Sequence, residues 1–355
     1  MKALEIAVIG AGLFGRKHVE TMQGFAGCRL RALADPADEA ADYAARLGVA
    51  HFGDYRAMLD AVAPDAVIVA TPNVLHVPAG LACIERGIPV LVEKPIADTV
   101  VAATELVAAA ERAGVALLVG HHRRHNPVIE KAREIVESGA LGALTAISAQ
   151  WMLLKASAYF AAEHRRLPGA GPILTNAVHD IDDLRFICGE IASVQASTSN
   201  ARRGFAVEDS AAIILRFASG ALGTLTVSDT AVGPWSWELS SGENPFYPRN
   251  DENCYLISGT EAALAVPRLE LWHYGERKDW GAPLDRLRLE VAPADPLERQ
   301  LRHFCDVVRG EAAPKVSGRD ALRTLRAVQA ILLAARSGSV VEVDLDDDNV
   351  AGDAA

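Results

Sequence analysis

The chain is poor in cysteine and uses what it has in no pattern. Cys28, Cys83, Cys188, Cys254 and Cys305 are five, an odd number, scattered and without a C-x-x-C pair. That argues against a disulfide framework or a cysteine-built zinc site and predicts reduced, mostly buried thiols in a cytoplasmic protein. No apolar run approaches the length of a membrane span, and the first residues lack the basic segment, apolar core and cleavage site of a secretory leader, so no membrane partner is expected. Positive charge is in deficit: 35 Lys and Arg stand against 46 Asp and Glu, a formal net charge of −11. General nucleic-acid binding, which needs dense basic surface, is therefore disfavoured. There is also no H-E-x-x-H, no repeat and no low-complexity linker. What is present is 50% hydrophobic and 23% charged residues over 355 positions, the composition of a well-buried globular protein with length for two domains.

The first motif sits at the N-terminus. Leu4 to Ile9 reads as a buried strand running into Gly10-Ala11-Gly12-Leu13-Phe14-Gly15, a G-x-G-x-x-G between a strand and a helix. The first glycine permits a tight turn, the second lets backbone approach a pyrophosphate, and the third lets helix pack on sheet. Unpaired N–H groups at the helix start then bind phosphate. A second strand, Cys28 to Ala34, delivers Asp35 at the spacing of about twenty residues expected for the acid that receives ribose hydroxyls. An acid there repels a 2′-phosphate, and Pro36-Ala37-Asp38-Glu39 supplies no arginine. NAD is expected ahead of NADP. Asp35 also suits the start of the next helix.

Strands and helices then alternate as in a doubly wound sheet. Ala66 to Ala70 is a strand ending in Thr71-Pro72-Asn73, with His76 just beyond. Val90-Leu91-Val92 delivers Glu93-Lys94-Pro95, and Val115 to Val119 completes a first domain, residues 1–121. Past residue 121 the pattern changes: a helix over 128–138, strands at Leu144 to Met152, Ile191 to Thr198, Ser210 to Phe217 and Ala221 to Asp229, then helices over 297–309 and 318–336. A second domain over 122–345 and an acidic tail over 346–355 follow from this.

Thr71-Pro72-Asn73 with His76, Glu93-Lys94-Pro95, and Gly120-His121-His122-Arg123-Arg124-His125-Asn126-Pro127 together resemble the Gfo/Idh/MocA oxidoreductases, the relatives of glucose-fructose oxidoreductase and inositol dehydrogenase, over nearly the whole chain. The resemblance implies an α/β protein: an N-terminal Rossmann domain with a doubly wound parallel sheet, then an α/β domain with a large, mostly antiparallel sheet. One face of that sheet would serve a homodimer or homotetramer. It implies that Gly10, Gly12, Leu13, Phe14, Gly15, Asp35, Thr71, Pro72, Asn73, His76, Glu93 and Lys94 face the cofactor. Proton transfer falls to Lys94 and to a histidine of the second domain, which here is His179. A buried lysine or a near-neutral histidine suits removal of a hydroxyl proton as hydride leaves.

His179 and Asp182 are three apart on an apolar-faced helix, so the carboxylate can orient the imidazole. In inositol dehydrogenase-like members an aspartate precedes this histidine by four residues; here that position is Thr175, with Asn176 next to it. Arg123, Arg124, Lys155, Arg165 and Arg166 supply cations for an acidic substrate group, or else pair with the chain's many acids. His122, Arg124, Lys155, Arg165, Thr175, Asn176 and His179 are the candidate substrate-binding residues. Trp237, Glu238 and Tyr247 lie in an irregular aromatic stretch that suits a pocket edge, a subunit contact or simple packing. His121, His122, His125 and the run His179, Asp180, Asp182, Asp183 offer metal-ligand chemistry, yet hydride transfer with lysine and histidine needs none and no metal is expected. The function expected is NAD(P)-dependent oxidation of a secondary alcohol of a sugar, cyclitol or related acid, or reduction of the ketone. The alternatives are a dihydrodiol dehydrogenase on a carboxylated carbocycle and a non-catalytic NAD-binding regulator of the same fold.

Overall fold

Short strands built mainly of apolar residues need cover on both faces, which is the environment of a parallel sheet between helix layers. In the computed structural model, which describes residues 2–345, such strands form a six-stranded parallel sheet. They are β1 (Leu4–Ile9), β2 (Cys28–Ala34), β3 (Ala50–Phe52), β4 (Ala66–Val69), β5 (Val90–Val92) and β6 (Leu117–Val119), in the order β3-β2-β1-β4-β5-β6. Helices α1 (Leu13–Gln23), α2 (Asp38–Leu47), α3 (Tyr55–Val62), α4 (His76–Ile84) and α5 (Val100–Ala113) connect them. Alternation along each strand divides the core. Ala7, Ile9, Val67, Val69, Val90 and Val92 pack toward α3, α4 and α5. Ile6, Val8, Ile68, Leu91 and Leu118 pack toward α1 and α2. Strand order reverses between β1 and β4, and ligands of open α/β sheets bind at the carboxyl ends of strands at such a reversal.

The chain falls into two units. The first runs to His125 and takes in Asp295–Leu325, so α9 (Pro296–Val308) buries Leu301, Phe304 and Cys305 in the α1 and α2 side of its core. Asp295 caps that helix by accepting from Leu297 and Glu298 N–H, with Pro296 at its first turn. The second unit holds Asn126–Ala294 and, among the described residues, 326–345. Its sheet has nine strands: β7 (Leu144–Met152), β8 (Ile191–Ser199), β9 (Ser210–Phe217), β10 (Leu222–Ser228), β11 (Tyr255–Gly259), β12 (Ala262–Val266), β13 (Glu270–Tyr274), β14 (Leu284–Arg288) and β15 (Val341–Glu342). Their order is β14-β13-β12-β11-β7-β10-β9-β8-β15, antiparallel except for the β7–β10 pair.

One face of this sheet is covered by α6 (Pro127–Glu137), α7 (Val178–Cys188) and the later part of α10 (Gly318–Ser337), through residues such as Ile129, Ile181, Leu184, Val328 and Ile331. The short α8 (Trp237–Ser240) adds Trp237 to the same core. The other face shows Ala212, Ile214, Leu222, Thr224 and Leu256. Phe217 and Ala221 close the β9–β10 hairpin, with Gly220 at φ +90 where a side chain would be strained. Among the described residues no helix is long and apolar enough to cross a membrane. The acidic tail expected over 346–355 lies outside the described residues.

Candidate active site

The first unit's site is assembled at the strand ends flanking the β1/β4 reversal. Gly10 adopts φ +100, and a Cβ there would stand 2.5 Å from the Ala70 carbonyl oxygen. Around Gly12, by contrast, no atom of the described residues lies within 4 Å of where a Cβ would be. Gly12 is also the N-cap of α1, and among the described residues no side chain caps that helix, which leaves its first N–H groups to an anion. Gly10, Gly12, Asp35, Tyr55, Thr71 and Leu75 are among the residues lining a cavity of about 380 Å³. The Thr71 hydroxyl in that wall is buried and has no hydrogen-bond partner among the described residues. A cradle without side chains, an uncapped helix start and an orphaned hydroxyl fit a dinucleotide.

Asp35 has a second task. One oxygen accepts the Ala11 N–H at 2.7 Å and the other the Ala37 N–H at 2.9 Å. The acid thus braces the glycine loop, and an ionised carboxylate retains lone pairs for ribose hydroxyls. Leu13 and Phe14 are exposed on α1, while Pro72 and Asn73 open the short 3-10 turn Asn73–Leu75. His76 is buried, with Nδ1 2.8 Å from the Pro95 carbonyl and Nε2 2.9 Å from that of Thr71. Burial pushes its imidazole below the ordinary value, the two carbonyls opposing. With one N–H, the neutral ring donates to one of these two carbonyls and sits beside the other, between the Thr71 loop and the Lys94–Pro95 turn.

Lys94 itself is half-buried at the carboxyl end of β5, the same edge of the sheet as the glycine loop. Glu93 is buried beside it, 2.7 Å from His18 on α1. Burial would raise this carboxyl, but the His18 hydrogen bond and the charges of His18, His122 and Lys94 outweigh it and hold the group below its usual range. His122 opens the 3-10 turn His122–His125. Arg124, in that turn, is buried and paired with Asp320. His125, also buried, is pushed down to about 2 by burial first and then by Lys315, His303, Arg299 and His122.

In the second unit a π-helical turn, Ile173–Ala177, leads into α7; π turns recur at functional sites. It carries Thr175 and Asn176. The Asn176 side-chain oxygen accepts from Lys155 Nζ at 2.7 Å and from the Thr175 hydroxyl at 2.9 Å. Because an ammonium only donates, the oxygen must face Lys155, leaving the Asn176 NH₂ as the outward donor. Lys155 lies 5.0 Å from the Tyr159 ring centre and 3.9 Å from Asp229. Burial lowers its pKa, with Asp229 and Glu238 opposing. A lysine so placed has the character of a functional group. Arg165 lies 4.1 Å over the Tyr159 ring and donates to the Tyr159 carbonyl.

His179 and Asp182 are both buried on α7, and the Asp182 carboxylate lies 3.9 Å from Arg185. Sequence reasoning missed Tyr255, whose hydroxyl stands 2.5 Å from Asp180 and 3.1 Å from Asp183. It also missed His18, which repeats the helical spacing three residues after Gly15 and was legible as a candidate on that ground. Of the aromatic stretch, Trp237 is buried and stacks on Tyr255, and Glu238 accepts from Trp151 Nε1 at 2.9 Å. Tyr247 meets Phe246 edge-on. Among the described residues no group of three or more His, Cys, Asp and Glu is arranged to hold a metal ion.

Residues 4–121 match the family described as oxidoreductase family, NAD-binding Rossmann fold, and residues 129–265 match the GFO/IDH/MocA C-terminal domain. D-apiose dehydrogenase of Paraburkholderia graminis is 29% identical over 354 residues, which cover 97% of this chain and 90% of that protein. Inositol 2-dehydrogenase 4 of Saccharopolyspora erythraea is 32% identical over 235 residues, 64% of this chain and 67% of that one. The WlbA dehydrogenase of Bordetella pertussis, crystallised with NADH and UDP-GlcNAcA, shares the fold at a TM-score of 0.79 and 24% identity, over 97% of this chain and 100% of its own. With both halves matched, the chain belongs to the Gfo/Idh/MocA family of NAD-binding oxidoreductases.

Proposed function

We propose that this protein oxidises a secondary hydroxyl of a sugar, cyclitol or related acid with NAD, or reduces the corresponding ketone. The observation that carries the reading is the placement of Lys94 at the carboxyl end of β5, on the edge of the sheet where Gly10, Gly12, Asp35 and Thr71 line a cavity of about 380 Å³. When bound, the nicotinamide supplies the hydride acceptor. Lys94 takes the hydroxyl proton in oxidation and returns it in reduction, and His179 is the second acid–base group. Asp35 and the glycine loop hold the dinucleotide; Thr71 and the loop beside His76 position its nicotinamide side.

Substrate recognition is assigned to the second unit, with Asn176, Thr175 and Lys155 at its centre. Arg124 is engaged by Asp320 and Arg165 lies on Tyr159, which favours recognition of neutral hydroxyls over a bidentate carboxylate clamp. Apiose and inositol, named for the two relatives, are polyhydroxylated and fit that preference. Assembly as a homodimer or homotetramer is supported by the exposed apolar positions Ile214, Leu222 and Leu256 on the uncovered sheet face.

Nicotinamide reduction with NAD and NADP in parallel, against sugars, inositols, sugar acids and carboxylated cyclic diols, tests the reading. Turnover is expected with NAD on a neutral polyol, and Asp35→Ser is expected to weaken NAD at least about tenfold while narrowing its lead over NADP. Silence across the panel with NAD bound would move the protein to the regulator class. Lys155→Met retains the packing against Tyr159 and removes the ammonium. It is expected to raise the substrate KM by about tenfold with the NAD KM unchanged; unchanged substrate KM would take Lys155 out of the pocket.

A further inference from the structure

Beneath the Lys94 turn runs a buried polar chain that neither cofactor binding nor proton transfer requires in itself. His18 is 2% exposed and places Nε2 2.7 Å from Oε1 of Glu93, which is 5% exposed. The other oxygen, Oε2, accepts the Lys94 backbone N–H at 3.2 Å. Gly120 accommodates the carboxylate: a Cβ at that position would stand 2.8 Å from Oε1. A carboxylate this deep, left without its partner, takes up a proton or disrupts its surroundings. The titratable groups facing Glu93 are His18 from α1, His122 from the turn after β6, and Lys94 next to it in sequence. His18 lies on the helix whose uncapped start faces the dinucleotide cavity, and Glu93 on the strand end that carries the lysine.

We propose that His18 is a positioning residue for Lys94, acting through Glu93: the pair fastens the backbone of the lysine turn to the pyrophosphate-binding helix and keeps a negative charge beside the ammonium. The arrangement makes the lysine's place depend on the same helix that seats the cofactor. Its catalytic consequence rests on the reading of Lys94 as the proton-transfer group; the link itself is measurable without turnover.

The test compares His18→Leu, His18→Gln and Glu93→Gln with the parent, using Lys94→Ala as reference. Two quantities are read: the rate at which an amine-reactive probe modifies Lys94, followed by peptide mass, and kcat with the KM for NAD. His18→Leu is expected to change the labelling rate about threefold or more and to lower kcat about tenfold with the NAD KM within about twofold. His18→Gln, whose amide reaches the same carboxylate oxygen, is expected to recover most of both. Glu93→Gln keeps the shape without the charge, shows the same split, and carries the test if His18→Leu does not fold. Unchanged labelling and kcat in a folded His18→Leu or in Glu93→Gln overturns the proposal. So does a raised NAD KM at parental kcat, which assigns the pair to cofactor binding alone. Parental turnover in Lys94→Ala sinks the proton-transfer reading instead, and the labelling arm still decides the link.

Discussion

Lys94→Ala is expected to lower turnover by roughly 10²–10⁴-fold, with NAD binding held within about twofold. The dinucleotide contacts we assign lie in the Gly10–Gly15 loop, at Asp35 and at Thr71, none of which depends on the lysine side chain. Glu93 and the Pro95 carbonyl, which anchor the turn on either side, lie against His18 and His76 and remain in place. The variant therefore separates chemistry from binding. Lys94→Arg sharpens the result: a guanidinium keeps the charge but does not release its proton, so an arginine variant that binds NAD yet stays without turnover identifies proton transfer rather than electrostatic attraction as the lost function. Steady-state kinetics beside an NAD titration decide it. Turnover close to parental in the alanine variant would transfer the role to His179 or to Lys155, the lysine whose pKa burial lowers.

The second large effect is a contrast between two glycines of one motif. In Gly15→Ala the new methyl would stand 1.9 Å from the Gly10 carbonyl oxygen and 2.9 Å from its carbon. Both are backbone atoms, and no rotamer relieves them. The loop or the helix must move, at a cost of about 2–4 kcal/mol. In Gly12→Ala the methyl meets no atom of the described residues within 4 Å, and φ −68 is ordinary for alanine. Its stability should match the parent or exceed it slightly. Yet that methyl points where the backbone must approach a pyrophosphate, so NAD affinity should fall about tenfold or more. Thermal unfolding and an NAD titration on both variants give a crossed pattern: Gly15→Ala unstable, Gly12→Ala stable but weak for NAD. Equal stability in the two would show that the close approach of Gly15 to Gly10 is not what holds the loop.

The parts of this architecture that sequence carries are those set by local pattern. β1, β2, β5, β7 and β9 appear with the ends expected, because unbroken apolar runs and strict alternation mark buried and half-buried strands. Glu93-Lys94-Pro95 and Thr71-Pro72-Asn73 fall at strand ends for the same reason. The strands past Asn250 were not legible. β14 is exposed along all five residues, so Leu284-Asp285-Arg286-Leu287-Arg288 shows no apolar alternation; it is a strand because β13 offers an edge to pair with. The π turn before His179 was also hidden, because Ile173-Leu174-Thr175-Asn176-Ala177 carries no local pattern that separates it from an ordinary helical turn. Pairings across long separations were equally silent. His18 meets Glu93 75 positions away and Tyr255 meets Asp180 at the same separation, and composition does not say which acid a buried base will find.

The return of α9 to the first unit bears on when that unit becomes foldable. Val19, Met22, Leu91 and Leu118 share a core with Leu301, Phe304 and Cys305, so the nucleotide half lacks one wall until more than three hundred positions have been synthesised. A chain still on the ribosome has its glycine loop and all six strands long before it has the helix that seals them. Sealing waits on a contact between segments far apart in the sequence, a late loop closure of the kind that slows folding and leaves apolar surface open to chaperones in the interval.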